Sequence, residues 1–222
     1  MTDKSPKVSI GLPVFNGENY LREAIDSVLA QTFTDFELII SDNASTDRTE
    51  EISQAYVAKD KRIHYYRNEQ NLGVVGNLNR IMELPAGEYF QWLSHDNILA
   101  PTYVEKCIAV LDQDPSIILC HSKVLIINKY GKSNEYLNVD PLIKINIDSY
   151  QPQERFYEIV LGSALGPYIM GLLLGVMRTS LLKRIGPVTA FVEHDRAYLA
   201  KLSLQGRFYE IPERLFFVRQ HP

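Results

Sequence analysis

The chain is poor in cysteine, in basic charge and in long apolar runs, and each shortage excludes something. Its two cysteines, Cys107 in a helical pattern and Cys120 in an apolar strand pattern, make neither a disulfide framework nor a metal-binding spacing. They read as buried thiols in a reducing compartment. A net charge of −4 and a pI near 5.8 argue against a nucleic-acid partner, because a duplex binder clusters Lys and Arg on one face. A small anionic ligand is still allowed, since its charge can be met locally. No apolar stretch that could serve as a signal peptide follows Met1-Thr2-Asp3-Lys4. The longest apolar run, Tyr168 to Met177, contains two glycines and is too short to span a bilayer. These absences describe a cytoplasmic protein and leave a peripheral contact at the inner face of a membrane open. No Gly-x-Gly-x-x-Gly follows a strand, which disfavours an NAD dehydrogenase, and Leu12-Pro13-Val14-Phe15-Asn16-Gly17 lacks the Gly-rich loop and basic residue of a nucleotidyltransferase.

What is present is an ordinary globular composition: 222 residues, 45% of them apolar, enough for one sizeable domain with an appended region. Lys7 to Leu12 reads as a first strand stopped by Pro13 and Gly17. Asn19 opens a helix whose Leu21, Ala24, Ile25, Val28 and Leu29 follow the 3.6-residue period. Phe36 to Ile40 is a second strand, and the polar loop Ser41 to Asp47 ends in a capping box from Asp47 to Glu50. Arg62 to Tyr66, Gly73 to Leu84 and Glu88 to Leu93 continue the alternation as strand, helix and strand, which is the signature of a parallel sheet. Pro101 sits in a helix first turn ahead of the stripe Val104, Cys107, Ile108 and Leu111. Ile117 to Ile127 is a further strand ending in a hairpin at Asn128-Lys129-Tyr130-Gly131.

From Lys132 to Gln151 the periodicity weakens, so a mobile segment and the start of a second, smaller region are expected there. Gln153 to Leu161 looks helical, Ile169 to Met177 is an apolar buried stretch, and Thr179 to Ile185 is a short helix ended by Gly186-Pro187. Glu193 to Leu204 reads as an amphipathic helix capped by Gly206, and Arg207 to Arg219 as one or two short strands. The chain stops at Arg219-Gln220-His221-Pro222 without a terminating signal, as a truncated end would.

The stretch around which this pattern is organised is Tyr89-Phe90-Gln91-Trp92-Leu93 running into Ser94-His95-Asp96-Asn97. A buried aromatic strand that ends in four polar residues should carry Asp96 to its carboxyl end, where open α/β sheets bind ligands. A carboxylate held there suits a divalent cation that completes its shell with phosphate oxygens, which makes Asp96 the candidate metal ligand. The plainer alternative is a turn formed by Asp96 and Asn97 ahead of the next helix. Three loops, Pro13 to Asn16, Ser41 to Asp47 and Ser94 to Asn97, should converge on one sheet edge.

The ordered set Val8 to Asn16, Ser27 to Thr32, Phe36 to Asp47, Asn71-Leu72-Gly73, Ala86 to Tyr89, Ser94 to Asn97, Gly175 to Arg178 and Asp195 to His221 resembles the inverting nucleotide-sugar glycosyltransferases of family 2. The resemblance covers almost the whole chain. It implies the GT-A fold, a Rossmann-like, mostly parallel sheet flanked by helices with a smaller C-terminal acceptor side. Residues 1–131 would form the donor half and residues 132–222 the acceptor and catalytic-base half of the same domain. Pro13 and Phe15 would line the base pocket beside Asn16, and Asp42 would accept a hydrogen bond from the base. Read without the family, Pro13 only ends a strand and Asp42 forms an Asx turn or cap. Asn71 and Gly73 match positions beside the donor, or else form a turn.

Ser94 to Asn97 matches the family's metal loop, which usually carries aspartate at the Ser94 position and often at Asn97; here only Asp96 is charged. Mn²⁺ or Mg²⁺ is therefore the implied cofactor, with Ser94 beside the donor and His95 read more readily as packing than as ligand. His194-Asp195 falls where the family carries Glu-Asp, so Asp195 resembles the catalytic base. The alternative for Asp195 is an N-terminal helix aspartate favoured by the dipole. Arg219 and His221 match a C-terminal Arg-and-His segment that can reach the diphosphate. The resemblance implies single displacement with inversion from a UDP-, GDP- or dTDP-linked sugar to a carbohydrate or lipid-linked acceptor, in bacterial polysaccharide or glycoconjugate synthesis. Competing readings are a nucleotidyltransferase and a non-catalytic nucleotide or sugar-binding module, the latter supported by Ser94 and His194 in place of acids.

Overall fold

The structure is a computed structural model that describes residues 5–133, 146–161, 171–190 and 193–220. In chain order the elements are β1 (Val8–Val14), α1 (Leu21–Leu29), β2 (Phe36–Asp42), α2 (Thr49–Val57), β3 (Ile63–Arg67), α3 (Gly73–Met82) and β4 (Tyr89–Trp92). Then come β5 (Ile98–Leu99), α4 (Tyr103–Gln113), β6 (Ile117–Ile127), α5 (Pro152–Leu161), β7 (Val176–Arg178), α6 (Thr179–Ile185), α7 (His194–Ser203) and β8 (Arg207–Arg219).

The strands form one sheet in the order β3-β2-β1-β4-β7-β6-β8-β5. β3, β2, β1 and β4 run parallel, as the alternation of strand and helix patterns demands. β7 then enters antiparallel between β4 and β6. The sequence pattern marked Val176 and Met177 only as part of an apolar buried stretch; three residues are too few to display a period. Ile169 and Met170, which open that stretch, lie outside the described residues, as do residues 134–145 of the polar segment.

β8 is a single long strand parallel to β6, with register shifts near Ser122 and Lys123, and its far end pairs antiparallel with β5. The two-residue β5 was not foreseen. It places Asp96 in a turn between β4 and β5 instead of on the tip of a strand.

Burial follows the periodicities. Leu21, Ala24, Ile25 and Val28 form the inner stripe of α1, and Val104, Cys107, Ile108 and Leu111 that of α4. Phe90 and Trp92, two residues apart and therefore on one face of β4, meet edge to face at 5.0 Å. Gly11 on the neighbouring strand makes room for them: a Cβ there would come within 3.0 Å of the Phe90 ring.

Motif residues that look polar on paper are structural here. Gln31 bonds the carbonyls of Ser27 and Ala100 and accepts from the Val104 amide, serving α4 as a cap from a distance. The expected hairpin forms, with Gly131 at φ 75° and Ile127 bridged to Ser133. Gly186 ends α6 at φ 79°, in the role expected of it. Gly206 does not act as a left-handed cap, since its φ is not positive. It is small because a Cβ would sit 2.4 Å from Ile118.

Candidate active site

β1 and β2 end side by side, and their loops are stitched together through backbone amides. The Asn16 amide donates to Ser45 Oγ at 2.9 Å, the Gly17 amide to Thr49 Oγ1 at 2.8 Å, and the Thr46 amide to Asn16 Oδ1 at 2.8 Å. The anticipated capping box takes a different partner: Asp47 accepts from the amide and hydroxyl of Thr49, and also from the Glu18 amide. Burial alone would raise the Asp47 carboxyl, but these donors hold it below the ordinary carboxylate range.

Asp42 ends β2 with no exposure to solvent. Its Oδ1 accepts from the Ser45 amide at 2.8 Å, and its Oδ2 from Tyr65 Oη at 2.6 Å and from Arg67 Nη1 at 2.8 Å. Three of about four lone-pair positions are therefore met internally. Burial, and then the bond to Asp42, push the Tyr65 phenol well up.

Asn43 makes a second network. Its Nδ2 donates to Asn71 Oδ1 and to the Gly73 carbonyl, and its Oδ1 accepts from Asn68 and the Leu72 amide. Asn77 joins it through Asn68 and Ser41. Together they fix the first turn of α3, where Gly73 at φ 71° starts the helix and accommodates a backbone that other residues resist.

In the turn after β4, the Asn97 amide returns to the Ser94 carbonyl at 3.1 Å. The His95 ring packs on Gly17, where a Cβ would lie 2.9 Å from it. Arg219 anchors this turn from below: its amide donates to Asn97 Oδ1, and its Nε to the Asp96 carbonyl at 3.0 Å. Nη1 faces the carbonyls of Asn128 and Lys129, Nη2 meets Glu23 Oε2 at 2.6 Å, and the guanidinium stacks on Tyr20.

On the opposite side α7 starts from Glu193, held at φ 60°, and presents His194 and Asp195. His194 Nε2 lies 2.8 Å from Asp195 Oδ1. Among the described residues, the non-glycine positions with positive φ are Asn16, Ala44 and Glu193. Left-handed backbone costs about 1–2 kcal/mol for such residues, and these three lie in the loops just described. Strain of this kind is concentrated where surroundings impose a geometry.

These elements enclose a hollow of about 460 Å³. Pro13, Phe15 and Asn43 form one side, Val74, Asn77 and Leu78 of α3 a second, and Trp92, Ser94 and His95 the floor and rim. Leu173, Leu174, His194 and Asp195 close it from the C-terminal half.

The structure thus brings Pro13, Phe15, Ser94 and Asp195 around one space. Asn16, Asn71 and Gly73 are exposed members of the two networks and are not among its lining residues. Asp42, Asp96 and Arg219 are not among its lining residues, and His221 is outside the described residues. Asn43, Asn77 and Trp92 are lining residues that were not singled out as site residues. Asn43 was legible as the neighbour of Asp42, whereas Asn77 and Trp92 were masked by apolar surroundings that read only as core.

A glycosyl transferase family 2 model matches residues 9–170. An uncharacterized glycosyltransferase of Rickettsia typhi is 34% identical over 198 residues, which is 87% of this chain and 57% of that protein. Thus the chain spans little more than half the length of that relative. The crystal structure of S. aureus TarS 1–349 in complex with UDP-GlcNAc superposes with a TM-score of 0.74 at 19% identity, over 97% of this chain and 59% of that one. A mannosyltransferase from Pyrobaculum calidifontis in complex with GDP-Man and Mn²⁺ superposes at 0.68 with 15% identity, over 97% and 57%. At such identities the likeness is one of fold: a curled central sheet flanked by helices, as in the GT-A glycosyltransferases. With the matched family model covering most of the sequence and its motifs seated around a single hollow, the chain belongs to glycosyl transferase family 2.

Proposed function

We propose that this chain transfers a sugar from a nucleoside-diphosphate sugar to an acceptor hydroxyl with inversion, in a single displacement. The observation that carries the reading is the shared hollow: Pro13, Phe15 and Ser94 of the first half face Asp195 of the second across about 460 Å³. That volume is in the range of small-molecule sites. Residues 1–131 would hold the donor, and residues 132–222 the acceptor and the base. TarS is described with UDP-GlcNAc and with UDP, and the Pyrobaculum calidifontis mannosyltransferase with GDP-Man, which supports a UDP- or GDP-linked donor here. The acceptor in this reading is a carbohydrate or a lipid-linked one.

The donor set fits a divalent cation in one way only. Among the described residues no three His, Cys, Asp or Glu side chains converge as a metal cage. Asp96, in the turn whose Ser94 and His95 line the hollow, would supply part of a shell that phosphate oxygens of the donor would complete, as is usual for Mg²⁺. Mn²⁺ or Mg²⁺ held at Asp96 would supply Lewis-acid stabilisation of charge on the departing diphosphate.

The remaining work falls to the chain. The Asn43 and Asn77 network holds the α3 side of the donor space, and Phe15, partly exposed, offers a ring face for a base. Arg219 keeps the Asp96 turn in place from beneath. Asp195, on the first turn of a helix, would take the proton of the attacking hydroxyl, which is too poor a nucleophile to react unaided. No helix among the described residues is long and apolar enough to cross a membrane. The setting we assign is cytoplasmic assembly of a bacterial polysaccharide or glycoconjugate, with peripheral contact at the inner face of the membrane.

The test is turnover of UDP-GlcNAc and GDP-mannose with Mn²⁺, comparing the wild type with Asp195→Asn. The variant is expected to lose on the order of 10²–10⁴ in rate while binding UDP with unchanged affinity by calorimetry. Wild-type rates in the variant would remove Asp195 from the mechanism. Donor binding without any turnover of the wild type would favour the non-catalytic module.

A further inference from the structure

Adjacent residues on a helix point about 100° apart and do not normally meet, yet His194 and Asp195 are in contact at 2.8 Å. The left-handed Glu193 swings the chain immediately before them, and the Glu193 carboxylate lies 3.1 Å from Arg196 Nε. Arg196 also donates to the carbonyls of Ile159 and Val160 on α5, so the turn that carries the pair is held from both sides. One turn further on, Tyr198 meets Trp92 edge to face at 5.7 Å, which sets the rotation of α7 against the floor of the hollow. The imidazole and the carboxylate are each about one quarter exposed, at 26% and 27%, and both border the hollow.

We infer that His194 and Asp195 act as one base, the imidazole sharing the proton that the acceptor gives up, so that turnover depends on a neutral His194. This rests on the transfer reading above and deepens it. The acceptor O–H bond breaks and its proton passes to the pair. The acceptor oxygen bonds to the anomeric carbon, and the bond from that carbon to the diphosphate oxygen breaks with its electron pair leaving on the phosphate. A carboxylate alone is a weak proton acceptor at neutral pH, whereas an imidazole titrates near the pH at which the reaction runs. Contact between the two lets the carboxylate offset the charge that the ring acquires, as in other His-Asp pairs. The charged and titratable groups placed around the pair are Glu193 and Arg196 on its own turn and His95 across the hollow.

The experiment is kcat/KM against pH from 5 to 9 for hydrolysis and transfer of UDP-GlcNAc and GDP-mannose by the wild type, His194→Gln and His194→Asn. UDP calorimetry and a melting temperature on each variant report folding. The wild type is expected to lose rate along an acid limb, about tenfold for each pH unit once the base is protonated. Both variants should bind UDP normally, lose that limb, and turn over about tenfold to a hundredfold more slowly on the plateau. A limb that persists in both variants belongs to another group, His95 included, and overturns the inference, as does a plateau equal to that of the wild type. Absence of wild-type turnover with either donor overturns the transfer reading and this inference together. Wild-type turnover with unchanged variants overturns this inference alone.

Discussion

A buried guanidinium persists only where its N–H groups are met, and Arg219 meets that condition with the chain's own atoms. Its side chain is fully buried, and it joins four pieces of chain: α1 through Glu23, the β4–β5 turn through the Asp96 carbonyl, the hairpin through Asn128 and Lys129, and β8 itself. The sequence resemblance implied a cation reaching the diphosphate; what the fold displays is a clamp under the turn that carries Asp96. Arg219→Ala is expected to destabilise the protein by about 1.5–3 kcal/mol, since it removes the hydrogen bonds of a buried guanidinium to the Asp96 carbonyl and to Glu23 at once. Arg219→Lys should recover less than half of that, because an ammonium cannot span acceptors arranged around a planar fork. Urea unfolding of the three proteins measures both. A loss under 0.5 kcal/mol in the alanine variant would show that the clamp carries no weight.

At the level of elements, the helices with wide apolar stripes and the strands on the parallel side could be read directly, because 3.6-residue and continuous apolar patterns are strong over nine or more residues in α1 and α4 and over seven in β1 and β2. The short pieces could not. β5 and β7 have two and three residues, and pairing partners distant in sequence decide their existence. Order alone gathered the loops Pro13 to Asn16 and Ser94 to Asn97 at one sheet edge, because both follow strands, whereas Asp195, on the first turn of a helix, was reached only through the family resemblance. Asn43 and Asn77 could not be assigned a role, because an asparagine gives no sign of which backbone it will bond.

The structure shows that role as the attachment of α3 to the end of β2. No side chain of the α3 N-cap residue bonds the helix, and Asn43 supplies the missing acceptor to the Leu72 amide. Removing four hydrogen bonds in Asn43→Ala, some of which water can replace, should cost about 2 kcal/mol of stability. The same variant should weaken UDP binding, since α3 forms one side of the hollow. Calorimetry together with urea unfolding separates these effects. Unchanged UDP affinity would mean that α3 keeps its place without Asn43.

Across the whole molecule the sheet is the cooperative unit, and its C-terminal side is built on β6 and β8, which pair over nearly their full lengths. His121 lies in the middle of β6, 1% exposed, opposite Glu210 in the register. Burial pushes its imidazole down to about 4, with the Ser122 carbonyl at 3.2 Å opposing that shift. In the unfolded chain the same ring takes up a proton near pH 6.5. Between about pH 6.5 and pH 4 the unfolded state therefore binds more protons than the folded one. Stability rises with pH across that window and falls as the pH is lowered through it. The full effect is roughly 3 kcal/mol, at 1.36 kcal/mol for each pKa unit. Asp60, held low chiefly by its bond from Arg62, and Asp112, held low chiefly by Tyr89, contribute losses of the same sign only at more acid pH, as carboxylates begin to take protons. The interval from pH 6.5 to 5 lies above the range in which these carboxylates take protons, so the difference between wild type and a His121 variant across it reads this imidazole. Urea midpoints for the wild type should drop through that interval, and His121→Gln, which has no proton to bind at that position, should show a clearly shallower line. Parallel lines for the two proteins would mean that His121 does not enter the folded sheet in its neutral form.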